Sequence, residues 1–154
     1  MKLSNILIPT GVAEPGMTVR EVFRMCVEAG VPAIPYCTQP CAHPDGLVSI
    51  DRILKNTCLP DYLIGLAEVL GNSLSCIDNA EEKVHEILAL PVDPFVLMPI
   101  RSITSEAPVL KAVAILQKYE TNYMFVIDED GYRGVVTNVA IVKRMLEFDL
   151  EHHA

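Results

Sequence analysis

Apolar side chains recur at helical spacing in two parts of this chain, near residue 20 and near residue 110. The first stripe consists of Val19, Val22, Phe23, Cys26 and Val27. Its spacing predicts a helix with one buried face. Thr18 can cap the first turn through its hydroxyl, and Gly30 ends the helix. The second stripe predicts a helix over residues 109–119, with Pro108 at a position that favours a helix start.

Apolar segments without helical spacing flank both helices and predict strands. In the first half these are residues 3–8, 32–36 and 47–49, and a short helix is predicted over residues 51–55. Two prolines make residues 32–36 an irregular or edge strand. In the second half the strands are residues 100–103, 123–127 and 134–137, and the last helix has the apolar residues Ile141, Val142, Met145 and Leu146. Each half is therefore predicted to be an α+β unit of the order β-α-β-β-α.

One short phrase occurs in both halves, between the last strand and the last helix. It is GLVS at residues 46–49 and GVVT at residues 134–137, which are 88 positions apart. Upstream, an offset of 91 aligns the two helical stripes and pairs Val19 with Leu110. The first half then has three extra residues in its hairpin turn, where a change of length is tolerated best. We therefore predict that the chain is one unit built twice.

The region between the halves is too apolar to be a flexible linker. One helical stripe there consists of Leu63, Leu66, Ala67 and Leu70, and another of Val84, Ile87 and Leu88. Asp78, with Glu81 three residues later, is a candidate cap for the second helix. We divide the chain into a first repeat at residues 1–58, a helical insertion at 59–95, a second repeat at 96–148 and a C-terminal tail at 149–154.

Composition and charge exclude several classes of protein. A net charge of −8 without a cluster of Lys and Arg argues against a nucleic-acid partner. The chain has no apolar run near the roughly 20 residues of a membrane span and no signal-peptide pattern. Five cysteines at irregular spacing fit reduced thiols, which predicts a cytoplasmic protein. The hydrophobic fraction of 51% suits a rich core or a self-association surface.

The duplicated unit, with its Gly-apolar-apolar-Ser/Thr phrase, resembles the cystathionine β-synthase (CBS) domain pair, also called the Bateman module. The resemblance covers about residues 1–58 and 96–148 and implies two repeats related by a pseudo-twofold axis. It also implies two clefts for adenosine-containing ligands, here AMP, ADP, ATP or S-adenosylmethionine. CBS pairs commonly form homodimers and control an attached or separate enzyme, channel or transporter.

The resemblance assigns a role to the hydroxyl that ends each phrase. In the CBS family this hydroxyl lies near the ligand's phosphates, and an Asp three residues later binds the ribose hydroxyls. Ser49 and Thr137 match the hydroxyl position, but Arg52 and Ala140 stand where the Asp is expected. Asp51 lies one residue early, which turns its side chain about 100° around a helix. A strand that leads into a helix still aims N–H groups at one point, which favours an anion there.

Three interpretations of this departure remain open. Ser49 and Thr137 can be simple helix caps. Arg52 can adapt one cleft to a phosphate-rich or carboxylate ligand through its guanidinium fork. An adenosine ligand can instead be held by the backbone of residues 32–36 and 123–126, with the hydroxyls assisting. The candidate ligand-binding residues are Pro32, Ala33, Ser49, Asp51, Arg52, Tyr123, Met124, Thr137 and Asn138.

A second group of candidate ligands lies in the first hairpin turn. Cys37, Cys41 and His43 follow the pattern Cys-x3-Cys-x-His, and thiolates beside an imidazole suit zinc. A structural zinc site needs four ligands, and none of the remaining candidates forms a paired motif with this turn. These candidates are Cys26, Cys58, Cys76 and His85. We therefore predict a polar turn without a metal site, and we interpret the acidic turn at residues 128–130 as solvated.

An enzyme is the least favoured class, because the sequence has no nucleophile elbow, phosphate loop, dinucleotide fingerprint or paired-His motif. The preferred hypothesis is a non-enzymatic, cytoplasmic CBS pair that forms a homodimer, senses an adenine nucleotide near Ser49 and Thr137, and signals to a separate effector protein. The alternative is a ligand-free structural or dimerisation module that acts through protein–protein contacts made by the insertion helices.

Overall fold

A computed structural model describes residues 1–39, 43–57 and 80–153. Its first half contains α1 (Val19–Ala29), β1 (Ala33–Tyr36), β2 (Gly46–Ser49) and α2 (Ile50–Thr57). After α3 (Ala80–Ala89), the second half contains β3 (Ser102–Ile103), α4 (Val109–Lys118), β4 (Tyr123–Asp128), β5 (Gly131–Thr137) and α5 (Asn138–His153). Two short 3₁₀ helices, Leu3–Asn5 and Asp93–Phe95, open the two halves. The order of elements confirms the predicted duplicated α+β unit.

The first helix begins and ends where the sequence predicts. The Thr18 hydroxyl accepts the Glu21 N–H at 3.2 Å, and the Glu21 carboxylate accepts the Thr18 N–H at 2.9 Å, which forms a capping box. Gly30 ends the helix in the left-handed region, at a φ of 71°. The buried stripe is narrower than predicted, because Val27 is 74% exposed.

The strands form two small sheets. β1 and β2 are antiparallel, and in the second sheet β4 pairs in parallel with β3 and antiparallel with β5. The counterpart of β3 in the first half is a single parallel bridge between Ala13 and Tyr36. The predicted strand at residues 3–8 is wrong, since residues 3–5 are a 3₁₀ helix and Ile8 bridges to Val135 in the other half.

Equivalent positions in the two halves are 90 residues apart up to the hairpin. Thr18 and Pro108 both precede the first long helix of their half. Ala33 and Tyr123 both pair with the last residue of the returning strand. The predicted offset of 91 is therefore wrong by one, and the first turn is two residues longer than the second rather than three. Leu110, which that offset placed on the buried stripe, is 80% exposed.

The opening segment of each half pairs with the returning strand of the other half. Ile8 and Val135 exchange two backbone hydrogen bonds, with N···O distances of 2.7 and 2.8 Å. Leu97 and Leu47 exchange two more, at 2.9 and 3.0 Å. The halves are therefore joined by a reciprocal exchange of segments, in which each repeat completes the other.

The same exchange supplies side chains to the two hydrophobic cores. Leu3 is fully buried and packs in the core of the second half, whereas Val92 is fully buried in the core of the first. The backbone follows the same pattern, because the Val19 N–H donates to Leu90 and the Val109 N–H to Met1. Burying an aliphatic side chain of this size stabilises the fold by roughly 1.5–3 kcal/mol.

The glycine that begins each repeated phrase makes room for this exchange. A Cβ on Gly134 would lie 2.6 Å from the Ile8 carbonyl oxygen, and a Cβ on Gly46 would lie 2.8 Å from that of Leu97. Both oxygens belong to backbone that is held in place by the pairing. The glycine therefore recurs because the backbone of the other repeat passes directly over it.

The last helix exposes side chains that its apolar pattern predicted to be buried. Ile141 is 4% exposed, whereas Val142, Met145 and Leu146 are 52%, 54% and 63% exposed. α5 continues through His153, so residues 149–153 extend this helix instead of forming the predicted tail. No helix in the described part of the chain, α5 included, is both long and apolar enough to cross a membrane.

The second of the two predicted insertion helices is confirmed as α3. It packs against α1, and Ile87 and Leu88 contact the core of the first half, whereas Val84 is 54% exposed. His85 is also exposed. The first predicted stripe, at residues 63–70, and the candidate cap Asp78 lie outside the described residues.

Candidate ligand clefts

Two clefts of similar size lie where the repeats meet, and we name them after the hydroxyl that each contains. The Thr137 cleft, of about 700 Å³, is lined by residues 5–8, the end of α1 and the first turns of α5. The Ser49 cleft, of about 710 Å³, is lined by the start of α2, the end of α4 and the residues that lead into β4. Pro32 and Asn122, which occupy equivalent positions, line both clefts. The clefts are thus related by the pseudo-twofold symmetry of the chain.

Both hydroxyls cap the helix that follows them. Ser49 Oγ accepts the Arg52 N–H at 3.2 Å, and Thr137 Oγ1 accepts the Ala140 N–H at 3.1 Å. The two residues are only 7% and 6% exposed. The predicted capping role is therefore confirmed at both sites. It does not exclude contact with a ligand, because a hydroxyl that accepts one hydrogen bond can still donate its own proton.

Removing either hydroxyl should destabilise the protein even without a ligand. Ser49→Ala and Thr137→Ala are each expected to lower the free energy of unfolding by about 1 kcal/mol, because an N–H of the helix loses its acceptor. Urea denaturation of the ligand-free protein measures this. Thr137→Ser keeps the hydroxyl and should recover most of the loss. Equal stability of Thr137→Ala and the parent protein would contradict the capping role.

Six of the nine predicted ligand-binding residues line a cleft. Ser49, Asp51 and Tyr123 line the Ser49 cleft, Thr137 and Asn138 line the Thr137 cleft, and Pro32 lines both. Ala33 is fully buried in the core of the first half. Met124 lines a smaller pocket of about 340 Å³, which shares Thr121 and Tyr123 with the Ser49 cleft. Arg52 lines neither cleft, and its Nε is buried without a hydrogen-bond partner among the described residues.

The resemblance predicts a ribose-binding Asp at residues 52 and 140, but the two halves have different residues there, and neither is Asp. Ala140 lines the Thr137 cleft with a methyl group, which cannot accept a hydrogen bond. Three amide side chains line the same cleft instead: Asn5, Asn122 and Asn138. Since an amide both donates and accepts, these residues can supply the polar contacts that a sugar needs.

Tyr123 lines the Ser49 cleft with a partly buried phenol. Burial and the nearby Asp51 carboxylate raise the pKa of Tyr123, while a hydrogen bond with the Ser49 hydroxyl acts in the opposite direction. The phenol is therefore neutral around pH 7 and can donate a hydrogen bond. Its ring packs edge-on against Phe125 at a centroid distance of 5.6 Å, which holds it in place.

Two features of the clefts were missed from the sequence. Residues 5–8 line the Thr137 cleft, although the sequence predicts that they belong to a strand of the first repeat. Lys143 and Glu120 bring charge to the clefts, and no motif in the sequence indicates either residue. A second repeated phrase could have revealed the exchange, because an apolar pair followed by proline occurs at both residues 7–9 and 97–99, 90 positions apart.

The candidate metal ligands of the first turn are only partly described. Cys37 is buried and His43 is exposed, while Cys41 lies outside the described residues. Burial, with contributions from the Asp45 and Glu14 carboxylates, raises the pKa of the Cys37 thiol. Within the described residues, no three His, Cys, Asp or Glu side chains lie close enough together to hold a metal ion.

The sequence predicts a solvated second hairpin turn, but in the structure one of its carboxylates, that of Asp128, is hydrogen-bonded. The Asp128 carboxylate accepts the Ser105 N–H at 2.9 Å and the Ser105 hydroxyl at 2.6 Å, and it lies 3.3 Å from Arg133. These hydrogen bonds from Ser105, with a smaller effect of Arg133, lower the pKa of Asp128. Asp128 therefore ties the end of β4 to the loop before α4.

Comparison with known proteins agrees with this architecture. Residues 84–147 match the sequence profile of the CBS domain. A search of curated proteins gave no match. Among solved structures, a CBS domain-containing protein of unknown function from Bacillus anthracis aligns with a TM-score of 0.64 at 18% identity, over 96% of this chain and 94% of its own.

Two further structures share the fold over nearly the whole chain. The CBS domain of a CBS domain-containing membrane protein from Sphaerobacter thermophilus has a TM-score of 0.65 at 16% identity, over 93% of this chain and 86% of its own. CBSX2, solved in complex with AMP, has a TM-score of 0.66 at 14% identity, over 95% of this chain and 97% of its own. The second half of the chain thus matches the CBS domain, and the chain as a whole has the fold of CBS domain-containing proteins.

Proposed function

We propose that this protein is a non-enzymatic regulatory CBS pair that senses an adenine nucleotide and signals to a separate effector protein. The observation that carries the proposal is the pair of equivalent clefts, each with a buried hydroxyl where a strand leads into a helix. Their volumes fall in the range of about 300–1,000 Å³ that is typical of small-molecule sites. CBSX2, which has the same fold, was solved with AMP. S-adenosylmethionine contains the same adenosine group and is a further candidate.

A ligand in either cleft would contact both repeats at once. In the Thr137 cleft, Gly30 and Pro32 come from the first repeat, and the start of α5 comes from the second. A ligand that fits one relative arrangement of the repeats better than another shifts the population toward it. α5 is suited to transmit this shift, because its first turns line the cleft and its later turns are exposed.

The exposed side of α5 supports a homodimer as part of this proposal. Four apolar side chains on it, 52–73% exposed, recur at helical spacing and form one stripe: Val139, Val142, Leu146 and Leu150. A twofold dimer places such a stripe against its own copy, so a second molecule of this chain can cover it. Light scattering should then report twice the 17.0 kDa mass of the chain. We also propose a cytoplasmic location, which the irregularly spaced cysteines support.

A thermal-shift panel tests nucleotide sensing. AMP, ADP, ATP, NAD and S-adenosylmethionine are compared with ribose 5-phosphate, which lacks the base. At least one adenosine compound should raise the melting temperature, because a ligand at 100 times its Kd stabilises the native state by about 2.7 kcal/mol. If none of the adenosine compounds raises the melting temperature, the proposal is overturned.

The second candidate function is a ligand-free dimerisation module. Arg52 and Ala140 favour it, because they replace the carboxylate that binds ribose in the family. Loss of such a buried acceptor weakens binding by roughly 1–3 kcal/mol. A dimer that responds to none of the panel compounds would support this candidate over the first.

A further inference from the structure

The two clefts occupy equivalent positions but differ in charge. Asp51 and Glu120 line the Ser49 cleft, and the described residues that line it include no Lys, Arg or His. The charged residues of the Thr137 cleft are Lys143, Arg144 and Glu147. One cleft is therefore acidic, whereas the other has a positive balance.

The acidic charge of the Ser49 cleft comes from two positions that are uncharged in the other cleft. Glu120 stands where the first repeat has Gly30, and Asp51 stands where the second has Val139. Glu120 has a φ of 50° and Gly30 a φ of 71°. A carboxylate thus occupies a left-handed position at which glycine is favoured and a side chain is strained. Because Glu120 is exposed, packing does not account for this strain.

The cation that can meet a ligand in the Thr137 cleft is Lys143. Arg144 lies 3.6 Å from the Glu147 carboxylate and 3.2 Å from that of Glu151, so its charge is largely balanced. Lys143 has no salt-bridge partner among the described residues. It lies one turn beyond Ala140, about 4.5 Å further along α5.

Arg101 is a cation near the Ser49 cleft, but its guanidinium contacts an aromatic ring outside the cleft. Arg101 lines the smaller adjoining pocket, and its guanidinium lies 3.7 Å from the centroid of the Tyr119 ring. A guanidinium over an aromatic face is stabilised by the ring's charge distribution. Arg101 therefore does not balance Asp51 and Glu120 within the cleft itself.

We infer a division of the two clefts by charge, in which a phosphate-bearing ligand binds in only one of them. It binds in the Thr137 cleft, beside Lys143. Asp51 and Glu120 exclude phosphates from the Ser49 cleft. The inference rests on the proposed function, because it takes ligand binding in the clefts as given. A phosphate in the Ser49 cleft would meet two like charges and lose water without gaining a cation. The protein therefore binds one nucleotide per chain rather than two.

Calorimetric titration with AMP and adenosine tests this division, because the two probes differ only in the phosphate. We expect one AMP per chain. Lys143→Met should weaken AMP binding at least tenfold and change adenosine binding in the Thr137 cleft less than twofold. Lys55→Met is the matched control, since Lys55 is the counterpart of Lys143 on α2 and does not line the Ser49 cleft. It should leave AMP binding unchanged.

Removing the acidic charges should open the Ser49 cleft to phosphate. The double variant Asp51→Asn, Glu120→Gly is expected to bind a second AMP per chain. Glu120→Gly restores the residue that the first repeat has at this position and relieves the left-handed backbone. A melting temperature close to that of the parent protein then verifies that the variant is folded.

The possible outcomes separate the division from the function on which it rests. Two AMP per parent chain, or unchanged AMP affinity in Lys143→Met, would overturn the division and leave nucleotide sensing in place. A folded double variant that still binds one AMP would refute the exclusion by Asp51 and Glu120. If neither these probes nor any other adenosine compound of the thermal-shift panel binds the parent protein, the proposed function is wrong and the division falls with it.

Discussion

Gly134→Ala should be among the most destabilising single substitutions in this protein. The new Cβ would lie 2.6 Å from the Ile8 carbonyl oxygen, well inside contact distance. Relief of this clash would require separation of Ile8 from Val135, which loses the two hydrogen bonds that join the halves. We expect the free energy of unfolding to fall by about 3 kcal/mol, at the upper end for overpacking. Urea denaturation monitored by circular dichroism measures the change.

Gly11→Ala is the matched control for this substitution. A Cβ on Gly11 would also be too close to another atom, but that atom is the terminal methyl of Met25. A methionine side chain can move to another rotamer at little cost. Gly11→Ala should therefore be much milder. Equal losses in the two variants would show that the close approach of backbone at Gly134 is not what requires glycine.

Leu3→Ala should destabilise the protein by about 2–5 kcal/mol, the range observed when a buried leucine is truncated. Leu3 lies close to the N-terminus, where substitutions are usually tolerated, yet it is fully buried in the core of the second half. Thermal and urea unfolding measure the loss. Hydrogen exchange should locate its effect in β4 and β5, because these strands contribute Val126 and Val136 to the same core.

Leu110→Ala provides the comparison for this prediction. Leu110 is 80% exposed, so its truncation should change stability by less than about 0.5 kcal/mol. The pair also tests the 90-residue offset, because the offset of 91 would place Leu110 on the buried stripe. Similar losses for Leu3→Ala and Leu110→Ala would contradict the described packing.

The sequence predicts well those parts of the fold that depend on neighbouring residues. The Thr18 cap and the Gly30 end of α1 follow from local hydrogen bonding and backbone freedom. The two hairpins follow from apolar segments that flank polar turns. The repeated phrase identifies the duplication because a strand that leads into a helix occurs in both halves.

The exchange of opening segments could not be predicted from such local patterns. Residues 3–8 are apolar enough for a strand, but hydrophobicity does not indicate which strand will be the partner. The true partner of Ile8 is 127 positions away, at Val135. The offset of 91 is wrong for a related reason. Val109 and Leu110 are both apolar neighbours, and only the packing shows that Val109 faces the core.

Ser49 and Thr137, which the sequence singles out, each line a cleft, but the sequence does not predict the charge of either cleft. Ser49 and Thr137 were found because their hydroxyls are part of the repeated phrase. The charge of each cleft depends on Glu120 and Lys143, which lie outside that phrase. Both residues line the clefts because elements of the two halves pack together there. Such an arrangement has no signature in a single segment.

The reciprocal pairing of the two halves limits how the molecule can be divided. A fragment that ends at Thr57 would lack Leu90 and Leu97, which accept from the N–H groups of Val19 and Leu47. Two such fragments would supply each other's missing hydrogen-bond acceptors by exchanging their N-terminal segments, as in a domain-swapped dimer. The intact chain is therefore equivalent to a swapped dimer whose subunits are covalently tethered, so that each partner is always present at high effective concentration.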